Sequence, residues 1–344
     1  MRNILFFTFV ILLFVSSFSL AKEPVKIIFD TDLGGDIDDA LTLALIHSLQ
    51  SRGELELLAV TGSRDNHWVA PMADLINTFY GRPDIPIGVV KNGTGQWDGN
   101  HNSQVVNLKD SEGKPLFPCR ITPETEVPDA YLLIRKVLAA QEEDQQVVII
   151  QVGGFTNLQR LLDSPGDEYS PLNGYDLVKK KVKYASIMAG AFEKSYFDLK
   201  ESNVIADLPA ARKMIEKWPT EIIFNGAEIG VFILFPYISI DEDFGYLPVH
   251  PIREAHRFFT DSTQDQTTFD LNSVLYTARP NRGYYSLSEP GTVSFTEEGI
   301  TVFVPDANGK HRFMTVDDRQ IAVAREALIQ LTTQPPVFLI EQPK

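Results

Sequence analysis

The chain has 344 residues, enough for one large α/β domain or two ordinary ones, and its 44 % apolar and 22 % charged content excludes disordered, collagen-like and coiled-coil classes. Lys and Arg number 31 against 46 Asp and Glu, and the formal charge of −15 repels a phosphate backbone, leaving no footprint for nucleic-acid polymers or anionic membranes. The single cysteine, Cys119, can close no intramolecular disulfide, and no Cys/His spacing suits zinc.

At the N-terminus, Met1-Arg2-Asn3 is followed by an apolar run from Ile4 to Val15 and by Ser19-Leu20-Ala21. That order of positive, apolar and small residues predicts a cleaved signal peptide over 1–21, a secreted or periplasmic product and one domain over 22–344. No later stretch is long enough to span a bilayer, so no membrane contact is expected after cleavage.

Val25–Phe29 reads as a strand and Ile37–Leu49 as a helix, with Ile37, Leu41, Ala44, Leu45 and Leu49 at helical spacing. Strand Leu55–Val60, helix Val69–Tyr80 and strand Pro86–Val90 follow. From Lys91 to Pro128 the pattern lapses into a long loop rich in Gly, Asn, Asp and Pro, of the kind that serves as a lid or insertion. Alternation resumes with helix Asp129–Gln141, strand Val147–Val152, a Gly153-Gly154 turn, a helix from Thr156, strand Val182–Met188, helix Leu208–Lys217 and strand Glu221–Phe224. Helices near Arg253–Thr260 and Leu271–Ala278, short strands within Thr292–Thr315 and a helix Asp317–Thr332 complete the chain. Strands alternating with helices predict one doubly wound, mostly parallel open α/β sheet with helices on both faces.

Between the first strand and helix lie Asp30, Asp32, Asp36, Asp38 and Asp39, five carboxylates within ten residues. Helix capping accounts for one or two of them. Five mutually repelling anions at the carboxyl end of a strand imply a hard divalent cation, with calcium accepting more oxygens than magnesium. An EF-hand register places Asp30, Asp32, Asp36 and Asp38 at ligand positions with Gly35 at the turn, but Leu41 stands where the closing acid belongs and a strand precedes the loop. A phosphatase of the haloacid dehalogenase type would use strand-Asp-x-Asp as nucleophile, yet the Lys and later acidic pair of that chemistry are not marked.

The stretch Asp30-Thr31-Asp32-Leu33-Gly34-Gly35-Asp36-Ile37-Asp38-Asp39 resembles the Asp-x-Asp-x-Gly-x-Asp-Asp signature of the calcium-dependent nucleoside hydrolases, the inosine-uridine-preferring family, with two further residues after Gly34. Four later segments agree in order. They are Ala59-Val60-Thr61 leading to Asn66, Val152-Gly153-Gly154-Phe155-Thr156-Asn157-Leu158, Met188-Ala189-Gly190 followed by Glu201-Ser202-Asn203 through Asp207, and Phe269-Asp270 ahead of a helix.

The resemblance implies hydrolysis of the N-glycosidic bond of a small-molecule nucleoside, with Ca2+ as cofactor. Residue by residue it implies Asp32 as calcium ligand and general base, and Asp39, Asp270 and the Val152 carbonyl as further ligands. It places Asp30 behind these ligands, Asp38, Asn66 and Asn203 on ribose hydroxyls, and Glu201 on the 5′-hydroxyl. Asp36 lies in the lengthened part of the loop, and the choice between it and Asp38 stays open. Phe269 stands where the family has the His that protonates the leaving base, and Phe cannot donate a proton. His101 and His67 are alternative donors, and Trp97, Phe192 and Tyr196 are aromatic candidates for stacking on the base. Family members often associate as homo-oligomers, but no patch in the sequence decides this. A hydrolase-like secreted protein that binds another ribosylated compound is the alternative from a different class.

Overall fold

The structure is a computed structural model that describes residues 23–96, 101–196 and 198–340; the proposed signal at 1–21 and Trp97 lie outside the described residues. The strands are β1 (Val25–Thr31), β2 (Leu55–Gly62), β3 (Ile87–Val89), β4 (Val147–Gln151), β5 (Val182–Met188), β6 (Glu221–Asn225), β7 (Ser286–Leu287), β8 (Gly291–Phe295), β9 (Thr301–Pro305) and β10 (His311–Thr315). The helices of the first half are α1 (Asp38–Ser51), α2 (Val69–Phe79), α3 (His101–Val106), α4 (Ala130–Ala139), α5 (Thr156–Asp163) and α6 (Gly174–Lys181). Those of the second half are α7 (Ser202–Ala206), α8 (Leu208–Lys217), α9 (Ala227–Phe232), α10 (Tyr237–Glu242), α11 (Pro251–Phe259), α12 (Phe269–Ala278), α13 (Asp318–Thr332) and α14 (Val337–Ile340). Among the described residues no helix is long and apolar enough to cross a membrane.

The strands form a ten-stranded sheet in the order β3-β2-β1-β4-β5-β6-β10-β8-β9, with β7 paired to β10. From β3 to β10 every neighbouring pair is parallel, while β7, β8 and β9 join antiparallel. The doubly wound, mostly parallel sheet expected from the alternation is therefore present.

Its central strands are apolar on both faces, because helices cover both. Ile27 and Phe29 of β1, with Val148 and Ile150 of β4, face a core shared with α1, α2, α12 and α13. Ile28, Val147 and Ile149 face the opposite core, built with α4, α5, α6 and α8. Helix α1 packs against α2, α11, α12 and α13 and is buried from Asp38 to Leu49, deeper than a one-sided helix.

Several elements differ from the sequence reading. The long segment 91–128 carries the short helix α3, which packs on α2 and α11. Helices α6, α7, α9 and α10 are short, 5 to 8 residues, so their periodicity is too brief to register. Strand β1 runs two residues past Phe29, which carries Asp30 into the sheet itself.

The order of strands places β1 between β2 and β4, the point at which crossovers leave in opposite directions. In open α/β sheets the crevice at the carboxyl ends of such strands is where ligands sit.

Candidate active site

A cavity of about 610 Å³ opens at this crevice. Its polar wall comprises Asp32, Asp36, Arg64, Lys200, Glu201, Ser202, Asn203 and Asp270, and its apolar wall includes Met188, Leu199, Phe259 and Phe269. Contributions thus come from the carboxyl ends of β1, β2, β4 and β5 and from the starts of α7, α9 and α12. The volume lies in the usual range for small-molecule sites.

Asp30 is fully buried and stands in register with Thr61 of β2 and Gln151 of β4. Its Oδ1 accepts from Thr61 Oγ1 at 2.5 Å and from Asn157 Nδ2 at 2.7 Å, and Asn157 also donates to the Gly62 carbonyl at 3.0 Å. Burial pushes the Asp30 carboxyl up to about 7 against the pull of these two donors.

After β1 the chain turns at Asp32, whose carbonyl accepts from Gly35 N at 3.2 Å. Asp32 also meets a residue absent from the sequence-based list of candidates. Arg64 donates from Nη2 and Nε to Asp32 Oδ2 at 2.6 and 3.0 Å, and from Nε to the Asp32 carbonyl at 2.8 Å. Burial and Asp36 raise the Asp32 carboxyl, and Arg64 opposes them.

Asp38 and Asp39 form the first turn of α1, where both are buried and neither lines the cavity. Asp38 Oδ2 accepts from Asp270 N at 3.1 Å, tying α1 to α12, and Asp39 Oδ1 accepts from Thr31 Oγ1. Oxygens of Asp36, Asp38 and Asp39 lie within 4.8 Å of one another. Desolvation first, and neighbouring carboxylates second, hold Asp38, Asp39 and Asp270 well above the ordinary carboxylate range. Buried Asp38 Oδ1 and Asp39 Oδ2 have no hydrogen-bond partner. Orphaned carboxylate oxygens facing a crowd of other carboxylates fit a hard, oxygen-seeking divalent cation.

The sugar-binding candidates divide. The Glu201 carboxylate caps α7, accepting from Asn203 N at 2.8 Å and Val204 N at 3.1 Å, and also accepts from Gly190 N at 3.2 Å. Asn203 Nδ2 donates to the Val152 carbonyl at 2.9 Å and to that of Met188 at 3.1 Å. Both residues line the cavity, as does Val152. Asn66 is not brought there: its Nδ2 donates to the Gln96 carbonyl and its Oδ1 accepts from Trp68 N, both at 2.8 Å, so its amide joins two loops.

Ser63, three residues earlier, packs against the turn after β4. It is buried, and its Oγ accepts from Gly154 N at 3.1 Å. At Gly153 an added Cβ would stand 2.2 Å from that Oγ and 2.8 Å from Asp32 N, so the turn after β4 admits only glycine.

His67 is exposed beside Trp68, and His101 is buried edge-on to Phe259, neither of them lining the cavity. Phe192 stacks on Phe313 at 4.5 Å and Tyr196 meets Phe232 edge-on, which places both in packing roles beside the sheet. Phe269 and Phe259 supply the aromatic surface instead. Arg64, Ser63 and Phe259 escaped the sequence reading because each acquires its position from a long-range neighbour rather than from a motif.

The family model described as inosine-uridine preferring nucleoside hydrolase matches residues 27–326, most of the chain and every element that lines the cavity. The chain belongs to this family. It is accordingly a hydrolase acting on N-glycosyl bonds, which removes the phosphatase alternative.

An inosine-guanosine nucleoside hydrolase is similar in structure at TM-score 0.66 and 20 % identity, over 90 % of this chain and 97 % of that one. A purine-preferring ribonucleoside hydrolase from Gardnerella vaginalis is similar at TM-score 0.65 and 15 % identity, covering 90 % and 99 %. An inosine-uridine preferring nucleoside hydrolase from Bacillus anthracis is similar at TM-score 0.62 and 16 % identity, covering 89 % and 99 %. At these identities the likeness is one of fold. No curated protein sequence matches the chain.

Proposed function

We propose that the protein uses Ca2+ to hydrolyse ribonucleosides to free base and ribose. The observation that carries this reading is the pairing of orphaned buried carboxylate oxygens on Asp38 and Asp39 with an open cavity flanked by Asp32, Glu201 and Asn203. The ion would be held by Asp32, Asp39, Asp270 and the Val152 carbonyl, with Asp36 or Asp38 completing the set. Bound there, calcium supplies charge that orients sugar hydroxyls and acidifies water.

The chain's own groups perform the remaining tasks. Water adds to the anomeric carbon as the bond to the base nitrogen breaks through an oxocarbenium-like transition state, and the base leaves with that bond's electron pair and takes its proton from solvent. Asp32, at the edge of the cavity, is the base that accepts the water's proton. Asn203 and Glu201 bind ribose hydroxyls, while Asp38, which does not line the cavity, is tied to α12 through Asp270 N. Hydrogen bonds built for hydroxyls discriminate against deoxyribose, because the buried groups would be left unpaired.

Phe259 and Phe269 offer the base an apolar wall and no proton donor, so substrates whose bases leave readily are favoured. The proposal includes export by residues 1–21, which places the reaction outside the cytoplasm. The test is release of reducing sugar from inosine, adenosine and uridine with calcium and with chelator. Release in calcium alone supports the reading; no release from any ribonucleoside rejects it.

A further inference from the structure

Arg64 follows Ser63 at the end of β2 and reaches across to the loop after β1. Its guanidinium forks onto Asp32 Oδ2 with contacts of 2.6 and 3.0 Å and also holds the Asp32 carbonyl at 2.8 Å. The two side chains are 19 % and 17 % exposed, so water screens the pair only weakly. Gly35 gives the guanidinium its room, since a Cβ there would lie 2.5 Å from Nη2. Asp39 and Asp36 add their attraction to that of Asp32.

A guanidinium keeps its charge at any physiological pH and presents a planar fork that matches one carboxylate. Here it occupies one oxygen of a carboxylate that lines the cavity and adjoins Asp39 of the acidic cluster. A divalent cation that takes Asp32 as ligand must either displace Arg64 from Oδ2 or bind beside its positive charge.

We propose that Arg64 is the resident counter-ion of the acidic loop, holding Asp32 in place without metal and competing with a divalent cation for it. The proposal rests on the acidic loop being a metal site and is independent of whether nucleosides are the substrate. Two consequences follow. The metal-free chain keeps its loop folded, and the cation binds more weakly than the carboxylates alone would allow. Arg64 is in this sense a positioning residue that sets affinity through Asp32.

The test is calorimetric titration of the chelator-stripped full chain with calcium chloride, for wild type, Arg64→Gln and Arg64→Lys. Arg64→Gln should bind calcium at least tenfold more tightly than wild type, and Arg64→Lys, which keeps the charge and loses the fork, should lie between. Without calcium, Arg64→Gln should melt below wild type, and saturating calcium should close that gap. Equal or weaker calcium affinity in Arg64→Gln, or absence of calcium binding in both proteins, overturns the proposal. Should Arg64→Gln fail to fold, an Arg64→Lys affinity no tighter than wild type overturns it as well. Because the readout is metal affinity, a chain that fails to cleave nucleosides but shows the Arg64 effect would refute the proposed substrate and leave this inference standing.

Discussion

Asn157 at the start of α5 donates to Asp30 at the end of β1, across 127 positions of sequence and at 2.7 Å. The same Nδ2 reaches the Gly62 carbonyl at 3.0 Å, so one amide joins the ends of β1 and β2 to the helix after β4. These are the strands that flank the cavity, and the bond fixes their relative height.

Asn157→Leu should therefore cost about 2 kcal/mol, since it leaves two buried acceptors short of a donor. Asn157→Asp should cost more, because it sets a second carboxylate against Asp30. Urea unfolding of both variants checks the order, and equal losses would show that the charge of Asp30 is not at stake.

Much of the site was legible in the sequence because the acidic loop and the later motifs are local. Asp32, Asp36, Glu201, Asn203, Val152 and Asp270 do meet around one cavity. Alternation of apolar runs was enough for the parallel sheet, since the central strands Val147–Gln151 and Val182–Met188 are flanked by clear turns and helices. Asn66 stands apart because an Asn three residues before a helix serves the loop equally well, and here its amide ties two loops together. Arg64 and Phe259 could not be read at all. Their roles depend on β2 lying beside β1 and on α11 reaching the cavity rim, and neither adjacency leaves a local trace.

Stability of the metal-free chain should depend on pH through two opposing sets of buried groups, with the carboxyls making it fall as pH rises beyond 6.5. The folded Asp30 carboxyl is raised from 3.8 to about 7, and Asp38, Asp39 and Asp270 are also held well above their ordinary value by burial and by neighbouring carboxylates. Their folded forms hold protons that the unfolded chain has lost, so each weakens the fold as pH rises from about 4 to its own raised value and adds nothing further above it, at up to about 1.4 kcal/mol per unit for one group. On the acid side, His47 and His250 are lowered to about 3 and His311 to about 4 by burial. These take up protons only on unfolding, so stability also falls below their ordinary value of 6.5. Melting curves from pH 5 to 9 in chelator check this; Asp39→Asn should lessen the fall with rising pH, and a steady rise of melting temperature to pH 9 would count against it.

Gly153→Ala should destabilise by roughly 2 kcal/mol, because the new methyl meets backbone of Asp32 that cannot move aside. Gly53, with φ of +70° and nothing within 4 Å, is the control. Gly53→Ala should cost about 1 kcal/mol of backbone strain and leave nucleoside cleavage unchanged. Comparison of melting temperature and turnover in the two variants separates displacement of Asp32 from plain loss of stability.

Glu201→Ala removes the acceptor for three backbone N–H groups and should cost about 1–2 kcal/mol. Since Asn203 follows in the same turn, KM for a ribonucleoside should rise together with the fall in kcat. Glu201→Gln keeps one amide oxygen and should recover part of the stability. Steady-state kinetics and denaturation on the pair would show whether capping and sugar binding travel together.

The central claim is that this acidic crevice cleaves ribonucleosides with Asp32 as the base. Chromatographic quantitation of free base from a ribonucleoside, in calcium, by wild type and by an Asp32→Ala protein with an intact cooperative melt, tests it most directly. The account predicts base and ribose in equal amounts from wild type and at least a hundredfold slower release from the variant. Equal rates from the two proteins, or no base from either, would contradict it.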